Sequence, residues 1–154
     1  MVKEKIRLRK LGARDLFSFI KTIKNPEVGD RLTYNVPGYL LKGLKEIFQK
    51  KNAYKFAILI NDKFAGGIVL ENIDDKTMSA EVGFYLAREY WGKGIATIAT
   101  EKILKFGFDN LKLKMIWAEH DINNPASGKV LKRARFRKMK RKKNEKYIRW
   151  EKTK

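Results

Sequence analysis

A chain of 154 residues, 44% hydrophobic and 12% aromatic, has material for one core of ordinary domain size, which excludes a wholly disordered polymer. The absence of cysteine and a single histidine, His120, exclude disulfides, thiolate metal centres, a cysteine nucleophile and a histidine-rich metal site. The 36 Lys and Arg against 17 Asp and Glu give a formal charge of +19, which calls for anionic partners or a solvated lysine-rich surface.

Ile6 and Leu8, set among basic residues, alternate as in a short strand. Leu16, Ile20 and Ile23 recur with helical period from near Ala13, and Asn25-Pro26 ends that helix because the residue before proline is pushed out of helical angles. Leu40, Leu44 and Ile47 predict a second helix reaching about Lys51. Three strands follow, Tyr54 to Ile60, Phe64 to Ile73 and Ser79 to Leu86, joined by the short turns Asn61-Asp62-Lys63 and Asp74 to Thr77 of an antiparallel meander. Gly66-Gly67 marks a bulge or a close backbone approach. After Gly94 the period becomes helical, with Ile95, Ile98, Ala99, Ile103 and Phe106 on one face. Met115 to Ala118 reads as a buried strand, Pro125 to Ala134 as a short helix, and Lys143-Asn144-Glu145 as the turn of a final hairpin. The order predicts an α+β fold with one strand–helix–strand crossover in a mainly antiparallel sheet.

No repeat or Pro/Gly/Ser-rich boundary divides the sequence, so a single domain over residues 1–154 is expected. No apolar run approaches the ~20 residues of a membrane span. Met1 to Lys10 carries no apolar stretch of secretory type. A cytoplasmic protein without membrane contact, monomeric or homodimeric, is the expectation. The charge is uneven: Lys129 to Lys154 holds 14 basic and 2 acidic residues. Such a stretch would attract nucleic acid, a ribosomal surface, acidic lipid or a phosphorylated cofactor.

Glu89-Tyr90-Trp91-Gly92-Lys93-Gly94 lies between a strand and a helix. Glycines there let the backbone turn tightly, and the helix start offers unpaired N–H groups to an anion. A Walker loop is excluded by the spacing, and Thr97 stands where a dinucleotide fingerprint needs a third glycine.

The run Ala80 to Thr97, AEVGFYLAREYWGKGIAT, resembles the acetyl-CoA site of the GNAT N-acetyltransferases. More narrowly it resembles the Rim-type branch related to ribosomal-protein N-terminal acetyltransferases. Asn124-Pro125-Ala126-Ser127 is similar to the N-P-A-S helix start of that branch. The resemblance implies a GNAT fold, with helices on both faces of a mostly antiparallel twisted sheet and a V-shaped splay between its central strands. It also implies acetyl-CoA as cosubstrate. Amides of Trp91, Gly92, Lys93, Gly94, Ile95 and Ala96 would hold the pyrophosphate. Phe84, Tyr85 and Leu86 would pair with the pantetheine arm, and Gly83 would supply a bulge that opens the sheet. Asn124 and Ser127 would face the far end of that arm. There are three departures from the pattern. Glu89 replaces Gln or Arg, Leu131 stands where many members carry an acidic tyrosine, and Arg135-Phe136 replaces a Gly-Phe pair. Because arginine is costly in a left-handed turn, the chain is expected to turn differently there.

Acetyl transfer to an amine needs a neutral amine, a stabilised oxyanion and a protonated leaving thiolate. With no cysteine, direct attack in a ternary complex is the economical route. Glu81 is the candidate base, the alternative being that it only balances nearby cations. Ser127 either donates to the departing sulfur or satisfies its own helix turn. A backbone amide near Tyr85 is the candidate oxyanion donor. His120 and Glu119 end the next strand, one facing in and one out; a lone histidine is more often simply hydrogen-bonded. Trp117 reads as core, Trp150 as packed under the last hairpin, and Tyr90 and Trp91 as core or cleft rim.

A protein or peptide N-terminal α-amine is the expected acceptor. A charge of +19 repels polyamines and aminoglycosides at long range, although an acidic pocket would override this within ~8–10 Å. The alternatives are a small-molecule amine acetyltransferase and a non-catalytic ribosome- or RNA-binding module. The latter rests on Lys132 to Lys143, with nine basic residues in twelve. Lys93 and Arg88 have a local use beside phosphates, and some of the Lys129–Lys154 charge would meet the CoA 3′-phosphate.

Overall fold

The computed structural model describes residues 5–31 and 52–154. The helix expected over Leu40 to Lys51 lies outside the described residues. Strand β1 (Ile6–Lys10) leads through a short 3-10 turn into α1 (Leu16–Ile23). Arg9 holds the buried Asp15 with two bonds of 2.7 and 3.2 Å, and Gly12 N donates to the same carboxylate, which fixes the entry to α1. Asn25 ends α1 as expected and caps the one-turn α2 (Pro26–Gly29), accepting from Glu27 N at 3.0 Å.

The meander is β2 (Tyr54–Ile60), β3 (Lys63–Asp74) and β4 (Ser79–Leu86). The turn between β2 and β3 works because Asn61 and Asp62 accept left-handed angles, φ 47° and 66°. Then come α3 (Ile95–Asp109), β5 (Met115–Asp121), α4 (Pro125–Arg133), the two-residue β6 (Arg137–Lys138) and β7 (Tyr147–Thr153). The seven strands form one open sheet in the order β1-β2-β3-β4-β5-β7-β6, antiparallel except for β4 beside β5. The expected α+β architecture is the observed one.

Alternation along the strands divides the sheet into two faces. Leu70, Ala80, Val82, Ile116 and Ala118 pack with Ile95, Ala99, Ile103 and Leu104 of α3 in the main core. The opposite face carries α1, whose Phe19 meets Tyr85 edge-on at 5.8 Å. Gly66 and Gly67 mark a close approach: an added Cβ would lie 2.1 Å from Tyr85 O at Gly66 and 2.6 Å from the Tyr85 ring at Gly67.

Several expectations are corrected. Ile98, assigned to the apolar face of α3, is 39% exposed, whereas Thr100 is fully buried and satisfies its hydroxyl on Ala96 O at 2.7 Å. Gly83 makes no bulge; β3 and β4 stay in register through Val69↔Gly83 and slip only between Glu71 and Asp74. Trp117 is not core but half-buried on the α1 face, covered by the Arg149 guanidinium at 4.2 Å.

The chain also keeps the left-handed turn after α4. Arg135 has φ 63°, with Arg135 N bonded to Lys132 O and Phe136 N to Leu131 O, both at 3.0 Å, the paired bonds of a Schellman cap. Burial of Phe136 and Leu131 under the turn holds the arginine in that angle. Arg135→Gly should therefore raise stability by about 1 kcal/mol, read as roughly 2–4 °C in Tm.

Candidate active site

The sheet opens between its two parallel strands. β4 and β5 pair only over Ser79↔Met115, Ala80↔Ile116 and Glu81↔Trp117, then run on apart to Leu86 and Asp121. Ala87 N donates to Ala65 O at 2.8 Å, and counting back by twos along that antiparallel ladder turns the Tyr85 and Gly83 amides toward β3. The groups of Phe84 and Leu86 consequently face the opening. Trp91 Nε1 takes Leu86 O at 2.9 Å, which leaves Phe84 N–H, Phe84 C=O and Leu86 N–H as an open edge. From the other side, Ile122 N donates to Lys146 O at 3.0 Å, and the same count aims the Glu119 backbone into the gap. Tyr85 was the expected position of an oxyanion amide; its own N–H belongs to the ladder, and the amides that face the gap are those on either side of it.

At the open end of β4 the glycine loop enters α3. Gly92 and Gly94 have φ of 74° and 76°, while an added Cβ at either meets no described residue within 4 Å. Backbone angle, not room, requires glycine at both. Gly94 caps α3 without a side chain, so Ile95, Ala96 and Thr97 present N–H groups with no carbonyl of their own helix to reach. Cations gather here. Arg31 and Arg88 lie 4.6 and 4.9 Å from the half-buried Trp91 ring, and exposed Lys93 sits 5.7 Å from Tyr90.

At the open end of β5, Asn124 begins α4. Its N–H donates to Asp121 O at 2.9 Å and its Nδ2 to Ser127 Oγ at 3.0 Å. The Ser127 hydroxyl therefore keeps its own proton to give. Asn124 Oδ1 and, in the first turn of α3, Thr97 Oγ1 are buried with no hydrogen-bond partner among the described residues. Such orphans are costly, and both sit where an amide- and phosphate-bearing chain would be received. Open strand edge, uncapped helix start and unpartnered amide oxygen together fit the CoA moiety of acetyl-CoA. Leu131, at the position of the family's tyrosine, is a core residue 1% exposed.

His120 and Glu119 divide as alternation requires. His120 is buried beneath Gly128 on the α3–α4 face, its Nδ1 2.8 Å from Asp121 O, its ring 6.2 Å from that of buried Trp150. Glu119 faces the other way. Five carboxylates share the α1 face around the opening: Glu71, Glu81, Glu119, Asp121 and Glu151. Glu81 is the last residue of β4 that pairs with β5, and its carboxylate accepts from Asn72 Nδ2 at 2.6 Å. Arg149 lies among the acids, 2.9 Å from Glu151 and 3.6 Å from Glu119. The Asn123 amide holds the Asp121 carboxyl below its ordinary range, with Lys146 adding to this. Burial, with the Asp15 charge, pushes the Tyr85 phenol up, so it stays protonated; it forms the wall of the site against Gly67.

Asn72, Thr97 and Arg149 escaped the sequence reading. The first has φ 50° at the slip in β3, a conformation that asparagine tolerates better than most residues and that an Asn inside a strand pattern could have signalled. Arg149 was legible only after pairing Tyr147-Ile148-Arg149 against Glu119-His120-Asp121.

Comparisons with known proteins agree with this geometry. The uncharacterized N-acetyltransferase p20 of Bacillus licheniformis is 28% identical over 145 residues, covering 88% of this chain and 80% of that protein. The spermidine N-acetyltransferase of Vibrio cholerae, solved with CoA and spermine, superposes with a TM-score of 0.80 at 20% identity, over 96% of this chain and 95% of that one. The ribosomal-protein-S5-alanine acetyltransferase of Vibrio fischeri gives a TM-score of 0.80 at 22% identity, over 99% and 95%. These two show the fold alone. The signature of the acetyltransferase (GNAT) domain matches residues 5–137, and with its splayed sheet the chain belongs to the GNAT N-acetyltransferases, enzymes that use acetyl-CoA.

Proposed function

We propose that this N-acetyltransferase acts on the N-terminal α-amine of a protein or peptide. The observation that carries the reading is the carboxylate face. In a chain of +19, five acids collect around the opening, where a cationic amine must arrive. Bound acetyl-CoA supplies the acetyl thioester. The amides of Trp91, Gly92, Lys93, Gly94, Ile95 and Ala96 receive its phosphates; Phe84, Leu86, Asn124 and Ser127 orient its arm. Glu81, at the root of the splay, takes the proton from the ammonium directly or through water. An α-amine of pKa about 7.7–8 needs far less help from such a base than a lysine near 10.4. Ser127 can donate a hydrogen bond to the departing thiolate, which takes its proton from the attacking nitrogen as the tetrahedral intermediate collapses.

A second reading, a small polyamine acceptor, is favoured by the same acids. They stand on adjacent strands roughly 4.8 Å apart, a spacing suited to several ammonium groups in one molecule. Mass spectrometry of products from N-terminal peptides, lysine peptides, spermidine and an aminoglycoside separates the two. N-terminal peptides should turn over at least 10-fold faster than the rest, and acetylation of spermidine alone would sink the protein-amine reading.

A further inference from the structure

The cations that the acetyltransferase site does not use form a surface of their own. From Lys129 to Lys146 the chain carries eleven Lys and Arg and one acid, Glu145. All eleven are exposed, on the outer side of α4, the Arg135 turn, the edge strand β6 and the tip of the final hairpin. Mutual repulsion makes such a set costly, and carboxylates do little to relieve it. Lys146 reaches Asp121 at 3.2 Å. Glu145 is spent on the backbone, accepting from Lys142 N at 3.0 Å, while its own carbonyl accepts from Arg141. The loop is thus shaped without being neutralised. Arg135 holds a guanidinium at φ 63°, where glycine would be relaxed.

We infer that this ridge is a docking surface for RNA. Four of the eleven are arginines, whose planar forks suit phosphate oxygens. Within Lys129–Lys146 the one large apolar side chain outside the core, Met139, is half-buried, and the exposed Tyr147 and Ile122 stand only at the ridge's hairpin end, whereas a membrane-inserting surface would carry apolar anchors along its length. Its position gives it a use. Tyr147, where the hairpin returns, pairs with Asp121 at the end of β5, so the ridge runs from the sheet edge at β6 to the open end of the acceptor cleft, where Lys146 meets Asp121. A protein terminus carried on RNA would be brought to the acidic face while its nucleic acid rests on the ridge. The surface goes beyond the acceptor reading and stands without it.

The test uses the full chain and a fluorescein-labelled single-stranded RNA of 20 mixed nucleotides, followed by anisotropy from 50 to 300 mM salt. The triple variant Lys138→Glu, Lys140→Glu, Lys143→Glu should weaken binding at least 30-fold. It should also flatten the slope of log affinity against log salt by about 2, or 0.7 for each lost phosphate contact. The control Lys63→Glu, Lys76→Glu, Lys112→Glu makes the same charge change elsewhere and should leave the slope in place. Turnover of a free peptide should fall less than twofold in both, so loss of RNA binding and loss of acetyl transfer are read separately. Equal weakening in the two variants overturns the assignment, as does absence of binding at 100 mM salt. Competition by polyglutamate or phosphatidylserine vesicles as effective as by unlabelled RNA overturns it too.

Discussion

Glu81→Gln should lower kcat for a peptide amine about 100-fold while leaving thermal stabilisation by acetyl-CoA unchanged. Glutamine keeps an oxygen for Asn72, which now bonds the carboxylate at 2.6 Å, so that contact survives while the charge and the proton acceptance are lost. The deficit should narrow as pH rises past about 8, because an α-amine then reaches the site already neutral. Steady-state kinetics from pH 6.5 to 9.5 measures this. A variant with unchanged kcat at pH 7 moves the base elsewhere. A deficit constant across the range gives Glu81 a positional role instead.

Gly94→Ala should raise the acetyl-CoA Kd about tenfold. At φ 76° an L-residue costs about 1–2 kcal/mol, and the chain relieves this by rotating the amides that open α3. No described residue lies within 4 Å of the added methyl, so the effect rests on the backbone angle. Gly12→Ala is the matched control: it too has open space, but its φ is −148°, an angle that any residue adopts. Calorimetric titration with acetyl-CoA should distinguish them. A normal Kd for the Gly94 variant would show that the cosubstrate does not depend on the helix start.

Much of this was legible in the sequence, for local reasons. The meander strands and α3 follow from period changes and from turns such as Asn61-Asp62, whose left-handed angles those residues tolerate. The glycine loop was legible because positive φ is a property of one residue. What escaped depends on who sits opposite whom. Ile98 matched the helical period, yet it faces outward because register on the sheet, not the period alone, chooses the buried stripe. Trp117 looked apolar by composition, yet it lies on the α1 face, away from the main core, where Arg149, distant in sequence, covers its ring. Arg135 is the instructive reversal. Its intrinsic preference argues against a left-handed turn, and burial of Phe136 and Leu131 outweighs it.

The separation of β4 from β5 has a consequence for the enzyme before it meets acetyl-CoA. An intact seven-stranded sheet has two borders, and this one has four, because Phe84 and Leu86 on one strand and Glu119 on the other meet no neighbouring strand across the gap among the described residues. Interior borders of this kind are templates on which another extended chain can assemble. A cosubstrate bound along them, as proposed, would be at once a reactant and a temporary strand, and the supply of acetyl-CoA would then double as protection against self-association.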